Sequence, residues 1–222
     1  MTTVLVVDDQ VLIRAGLAAL IQAAPGLEVV GQAADGSEAV DLARTTTPDV
    51  ILMDIYMPGM SGVVATERIL ASGEAHPPKV LVLTTFDLDE HVHAALRAGA
   101  SGFLLKDTPP ERLTAAIHTV AAGDTLLAPG ITRRLVEAYA RRPRPTVDPV
   151  KELGMLTDRE VEVLELVGKG MTNGDIAGHL RVSEATVKTH LNRVMTKLGL
   201  SSRAQAVVVA YETGLIIPRG SA

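Results

Sequence analysis

Five short β-branched apolar runs, TVLVV, LEVVGQ, DVILM, KVLVLTT and SGFLLK, recur through the first 122 residues. They alternate with stretches of helical period such as VLIRAGLAALIQAA and ERLTAAIHTVAA. This rhythm is that of a repeated βα unit. Strands that are apolar almost throughout, rather than at every second position, must be covered on both faces. A five-stranded parallel, doubly wound sheet with five helices is therefore predicted for residues 1–122.

The pattern changes after Gly123. GITRRLVEAYARR has the period of one helix, but RRPRPTVDPVKE carries three prolines in seven residues and little apolar content, so residues 123–152 read as a linker that includes one helix. Residues 153–217 are wholly helical in pattern, and residues 218–222 form a tail. TDREVEVLELVGKG opens with Thr157 and Glu160 in capping-box register. TNGDIAGHL, SEATVKTHLNRVMTKLGL and SRAQAVVVAYETG follow, and only RVS separates the second helix from the third, with Ser183 a natural N-cap. A short helix, a tight turn and a longer helix make the helix-turn-helix pattern, here inside an all-α four-helix domain.

An apolar content of 47% supports a substantial core, and the absence of cysteine excludes disulfides and thiolate chemistry. No basic-then-apolar leader and no membrane-length apolar run are found, so a soluble, cytoplasmic protein without a membrane partner is expected. Charge is divided unevenly. Residues 1–128 hold 7 basic and 16 acidic side chains, or −9, whereas residues 151–222 hold 9 and 8, or +1. Within residues 181–205 there are five basic groups and only Glu184. Five aromatics in the chain are too few for a base-stacking platform, so a nucleic-acid partner is expected to be duplex.

In a parallel α/β sheet, reactive groups gather beyond the carboxyl ends of the strands. There this sequence places Asp8 and Asp9, Asp54, Thr84 and Lys106. Singly, each has an ordinary explanation: Asp9 as a cap for the helix near Val11, Asp54 as a turn residue, Thr84 as a strand residue, Lys106 as a solvated lysine. Together they meet on one edge. Two like charges about 4 Å apart repel by roughly 4 kcal/mol at an effective dielectric near 20, so three carboxylates need a proton or a cation between them. Oxygen-only ligands favour a hard ion, and Mg²⁺ also suits a phosphoryl donor approaching a carboxylate nucleophile.

VVDDQ, MDIYMPGMSG, VLTTFD and GASGFLLKD, in this order and spacing, resemble the receiver domain of bacterial two-component response regulators, which has a flavodoxin-like fold. The resemblance implies that Asp54 accepts a phosphoryl group and that Asp9, Asp54 and the Tyr56 backbone carbonyl hold Mg²⁺, with Asp8 in support. It further implies that Lys106 pairs with the phosphoryl oxygens, that Thr84 donates its hydroxyl to them and that Phe103 swings inward behind it. Such a switch acts on the surface of the fourth helix, fifth strand and fifth helix. Two positions depart from the pattern: Asp107 stands where many receivers have proline, and Ser61 where many have aspartate. Tyr56 and Phe86, each two residues beyond a site residue, are expected to flank the phosphoryl group and hinder attacking water.

On a helical wheel, Val187, Leu191, Val194 and Leu198 share one face, and Thr189, Asn192, Arg193 and Thr196 the other, with Lys188 and Thr186 on the flanks. The segment from Leu156 to Val207 resembles the LuxR-type DNA-binding domain. Joined to a receiver, it is similar to the NarL/FixJ class of regulators. This implies that the helix over 184–198 enters the major groove of double-stranded DNA, with Lys188, Thr189 and Asn192 near base edges and Thr186, His190, Arg193 and Lys197 nearer phosphates. Val161 and Gly174 stand where relatives often carry charge. The resemblance also implies a partner histidine kinase and binding to DNA as a homodimer, for which Ala206, Val209 and Ala210 offer a small apolar patch. Closing the helical core is the competing role for that patch.

The resulting expectation is a DNA-binding transcriptional response regulator, controlled by phosphorylation of Asp54 and not an enzyme on an external substrate. An Asp-nucleophile phosphohydrolase is disfavoured because Tyr56 stands where its general acid belongs. A regulator that ignores phosphate and uses its receiver only for dimerisation is the alternative.

Overall fold

The computed structural model describes residues 1–72, 77–84, 94–122, 126–127 and 153–216. The chain divides into two units, Met1–Ala128 and Pro129–Ala222. Most of the expected linker, the tail and Phe86 lie outside the described residues. No helix among the described residues is long and apolar enough to cross a membrane.

The first unit contains β1 (Thr2–Val7), α1 (Val11–Ala23), β2 (Leu27–Ala33), α2 (Gly36–Thr46), β3 (Val50–Asp54), α3 (Gly62–Leu70) and β4 (Lys79–Thr84). Helical residues 94–97 (α4), β5 (Gly102–Leu105), α5 (Pro110–Ala121) and β6 (Leu126–Leu127) complete it. The strand order is β2-β1-β3-β4-β5-β6, with every pairing parallel. The five expected strands are all present. β6 adds a two-residue edge opposite Gly102 and Phe103, too short for hydrophobic periodicity to reveal.

Strand alternation divides the core. Val4, Val6, Val50, Leu52, Leu81 and Leu83 pack with Ile21 of α1 and with Leu113, Ile117 and Val120 of α5. Leu5, Val7, Ile51, Met53, Val80 and Val82 are buried on the opposite face. Complete burial of such side chains contributes about 1.5–3 kcal/mol each, and covering both faces explains why these strands are continuously apolar. α2 is started by Asp35, whose carboxylate accepts from Ser37 N–H at 2.7 Å and Glu38 N–H at 3.0 Å. The strand order reverses between β1 and β3, and the loops leaving their carboxyl ends diverge to make the crevice in which α/β sheets place their ligands.

The second unit contains α6 (Asp158–Gly168), α7 (Asn173–Leu180), α8 (Glu184–Leu198) and α9 (Arg203–Glu212). The capping box predicted for α6 has both halves: Thr157 accepts from Glu160 N–H, and Glu160 accepts from Thr157 N–H. α7 repeats the arrangement with Thr172 and Asp175. Ser183 caps α8, accepting from Thr186 N–H at 3.1 Å. Gly168 is required by close approach, since a Cβ there would collide with Ile216 and Ala210. Ala206 and Ala210 are fully buried and take the core-closing role considered for that patch, while Val209 is half-buried.

The turn between α7 and α8 holds Arg181 at φ 54° and ψ 46°, the left-handed region. An L-residue other than glycine or asparagine incurs about 1 kcal/mol there. The carbonyls it follows are already engaged. Ala177 accepts from Arg181 and Val182 N–H, and Leu180 accepts from the Arg159 guanidinium at 3.1 Å.

Candidate functional site

β1 delivers Asp8 and Asp9 to the sheet edge, β3 ends in Asp54, β4 in Thr84, and Lys106 follows β5. Asp8, Asp54 and Thr84 are buried, at no more than 3% exposure. The Lys106 ammonium stands between two of the acids, 2.6 Å from Asp8 Oδ2 and 2.9 Å from Asp54 Oδ2. Asp8 is held in turn: its Oδ1 accepts from Gln10 N–H at 2.9 Å, and its backbone carbonyl accepts from the Arg14 guanidinium at 2.6 Å. The cap role considered for Asp9 is not taken up, because the residue preceding α1 is Gln10 and no side chain caps that helix.

Burial pushes the Asp54 carboxyl above its ordinary pKa; hydrogen bonding and charge from Lys106 oppose this, Asp8 adds to it, and the Tyr56 backbone N–H donates to the carboxylate and lowers it. Burial acts to lower the Lys106 pKa, but its hydrogen bonds and charge pairing with Asp8 and Asp54 outweigh this and hold it above the usual lysine value. Lys106 therefore remains an ammonium. Three carboxylates and one ammonium carry a formal charge of −2. Carboxylate oxygens of Asp8, Asp9 and Asp54 lie within 4.8 Å of one another, and Asp9 Oδ1 is buried without a hydrogen-bond partner. An orphaned acceptor and two uncompensated negative charges fit a hard divalent cation.

The rest of the edge is built around this cluster. Lys106 N–H donates to the Thr84 carbonyl at 2.8 Å, which fixes the lysine beside β4. Phe103 is fully buried and pairs in register with Val82, two positions before Thr84. Ser61, at the departure noted in the sequence, caps α3 by accepting from Val64 N–H at 3.4 Å. The chain around Asp107 contains no cis bond. Gly62 was not singled out by sequence reasoning, yet a Cβ there would fall inside the backbone carbonyl of Asp54.

Tyr56 follows Asp54 by two residues and is 40% exposed, its hydroxyl held above the usual tyrosine pKa by burial and by the charge of Asp54. If its ring shields an acyl phosphate, Tyr56→Ala should shorten the phosphorylated state several-fold in an autodephosphorylation assay. An unchanged rate would remove the shielding role.

On α8, Val187, Leu191 and Val194 are buried and Leu198 is half-buried, as the wheel predicts. Lys188, Thr189, Asn192 and Arg193 are exposed. Thr186 is half-buried with its hydroxyl 2.8 Å from that of Ser183, and the Thr189 hydroxyl donates to Ala185 O at 2.9 Å. His190 is half-buried, with Nδ1 enclosed and lacking a partner.

Lys197 departs from expectation. Its ammonium lies 2.7 Å from Glu160 Oε2, tying the last turn of α8 to the first turn of α6, so it is engaged within the unit rather than free for a phosphate. The reason is Glu160, which is 2% exposed and needs a cation once its capping role has drawn it inward.

The Lys197 hydrogen bond, followed by the Thr157 backbone N–H, lowers the Glu160 pKa from 4.5 to about 2. A group whose pKa falls on folding contributes stability above its unfolded value, and that contribution is lost as pH drops toward the folded one. The window here runs from pH 4.5 down to about 2. Glu160→Gln should lower stability at pH 7 by about 1–2 kcal/mol, less than for a fully enclosed pair because Lys197 is partly solvated. The deficit should shrink across this window when urea unfolding is followed by circular dichroism. A deficit independent of pH would refute the pairing.

The sequence matches the family model described as response regulator receiver domain at residues 4–118, and that described as bacterial regulatory proteins, luxR family, at residues 154–210. It is 39% identical to the transcriptional regulatory protein LiaR of Bacillus subtilis over 97% of this chain and 100% of that one. It is 36% identical to the nitrate/nitrite response regulator protein NarL of Escherichia coli, over 95% of each. Among solved structures, the response regulator ChrA of a heme-sensing two-component system aligns with a TM-score of 0.53 at 36% identity, covering 97% of this chain and 98% of that one.

Proposed function

Since the chain belongs to the two-component response regulators of the NarL/FixJ class, DNA-binding transcription regulators that join a receiver to a LuxR-type domain, we propose that Asp54 is its phosphoryl acceptor. The observation that carries the assignment is the Lys106 ammonium shared by Asp8 and Asp54 beside the orphaned Asp9 oxygen. A sensor histidine kinase supplies the phosphoryl group. An Asp54 carboxylate oxygen attacks phosphorus, the O–P bond forms as the N–P bond to the kinase histidine breaks, and the imidazole leaves with the electron pair and takes a proton.

Asp9, Asp54 and the Tyr56 carbonyl would hold Mg²⁺, with Asp8 supporting the charge; when bound, the ion neutralises negative charge between nucleophile and phosphoryl oxygens. Lys106 exchanges its contact with Asp54 for one to the phosphoryl oxygens, and the Thr84 hydroxyl donates to them. Withdrawal of Thr84 toward the phosphate is accommodated by the inward position of the Phe103 ring. The consequence is carried to the α4-β5-α5 surface, and the chain binds duplex DNA as a homodimer. Lys188, Thr189 and Asn192 of α8 face base edges, with Arg193, Thr186 and His190 nearer phosphates.

The test uses the full chain with Mg²⁺ and a small acyl-phosphate donor, measuring intact mass and affinity for a duplex that the protein selects from a random pool. A mass gain of one phosphoryl group with tighter binding supports the reading. A modified protein whose affinity is unchanged would favour the phosphate-independent regulator, and an unmodified one would remove Asp54 as acceptor.

A further inference from the structure

The five cations between residues 181 and 205 are not equivalent. Lys197 is committed to Glu160, and the Arg203 guanidinium to Asn173 Oδ1 and the Met171 carbonyl. Among the described residues, Arg181, Lys188 and Arg193 make no ion pair. Lys188 and Arg193 lie on the exposed side of α8, but Arg181 lies in the turn before it, at a position the sequence pattern did not mark.

Its backbone makes that placement informative. Positive φ among the described residues of this unit occurs at Gly170, Gly199, Gly214 and Arg181. Glycine meets the requirement at three of the four, as conformational freedom dictates. Arginine meets it only at the turn leading into the helix proposed to read DNA. The cap bonds from Arg181 and Val182 N–H to the Ala177 carbonyl offset part of that backbone cost, while the exposed guanidinium makes no ion pair among the described residues. Thr47 ends α2 in the same conformation, so the dihedral angles alone do not mark a site; what sets Arg181 apart is an exposed cation without an ion pair placed directly before the helix proposed to read DNA.

We propose that Arg181 contacts the phosphate backbone of duplex DNA, as a further cation of the interface in place of Lys197. In a helix-turn-helix the first helix crosses the sugar-phosphate backbone while the N-terminal part of the second enters the groove, so the intervening turn faces a phosphate strand. The planar fork of a guanidinium suits that acceptor. The contact positions the unit and does not read sequence. The inference rests on α8 being the DNA-reading helix, and its test separates the two.

Full-length protein, phosphorylated with a small acyl-phosphate donor, is titrated against its selected duplex and an unrelated duplex of equal length over a range of salt. Arg181→Gly is expected to keep or raise the thermal midpoint, weaken both duplexes about fivefold per protomer at ~0.15 M salt, and reduce the salt slope by about one ion per protomer. Arg181→Gln, which keeps the side-chain length without the charge, should lose the same ion, and Lys197→Gln should keep the wild-type slope. Unchanged affinity and slope in both Arg181 variants, with Lys188→Ala and Arg193→Ala impaired, would overturn the Arg181 assignment alone. Indifference to all four of these interface substitutions would overturn the DNA-reading helix as well. A slope lowered by Lys197→Gln but not by Arg181→Gly would return the contact to Lys197.

Discussion

Asp54→Asn should leave a folded protein that takes up no phosphoryl group and whose DNA affinity no longer responds to a phosphodonor. The amide matches the carboxylate in shape but is not the nucleophile that forms an acyl phosphate. It also reduces the formal charge of the cluster from −2 to −1, weakening its hold on a divalent cation. Lys106 keeps Asp8 as a partner at 2.6 Å, so the edge is not left with an unpaired ammonium. Burial raises the Asp54 pKa on folding, and a carboxyl so shifted favours unfolding once ionised at neutral pH. The thermal midpoint of the variant should therefore be unchanged or higher. Coupling of this kind ordinarily shifts affinity about tenfold or more. Mass spectrometry and a DNA titration with and without donor check both effects, and a variant that still gains the phosphoryl mass would place the acceptor elsewhere.

Gly62→Ala should damage both the stability of the first unit and its site. By backbone propensity alone, alanine in a helix is favoured over glycine by about 0.5–1 kcal/mol. Gly62 reverses that sign. It is the first residue of α3, its N–H donates to Ile55 O at 3.0 Å and its carbonyl accepts from the buried Thr66 hydroxyl at 2.7 Å, so it cannot retreat from Asp54. A methyl group there must push the Asp54 carbonyl aside. A cost of about 1–3 kcal/mol is expected from overpacking. Displacement of Asp54 from Lys106 should also slow phosphorylation by a small donor at least about tenfold, since misplacement by about 1 Å costs such reactions ~100-fold. Urea unfolding and donor kinetics measure the two losses. Full stability and rate in the alanine variant would show that the approach of α3 to β3 does not matter to the site.

These residues show where the sequence was legible. Asp8, Asp9 and Asp54 stand out because a carboxylate ending an apolar strand breaks the pattern, and parallel topology sends such endings to one edge. Thr157, Glu160 and Ser183 are legible because caps are local in sequence. Gly62 is hidden inside PGMSG, where a glycine after turn residues looks like part of the turn, and its requirement arises from a backbone carbonyl eight residues earlier. The Glu160–Lys197 pair joins positions 37 apart, and neither residue type in isolation says that one is buried and will claim the other. Ala206 and Ala210 carry too little hydrophobic contrast to tell a core face from a pairing patch. For Arg181 the sequence shows a charge, but only the dihedral angles show that the charge sits where glycine would be easier.

The two-residue strand β6 bears on how this protein can be taken apart. Its pairing with Gly102 and Phe103 lies beyond residue 122, where the βα rhythm ends. A receiver fragment cut at that rhythm boundary would leave β5 with an open flank of unmatched amide and carbonyl groups, the usual template for strand addition between molecules. Self-association of such a fragment would then report the cut rather than the switch. A fragment carried through Leu127 retains the natural selvedge of the sheet, and its oligomeric state can be read as the receiver's own.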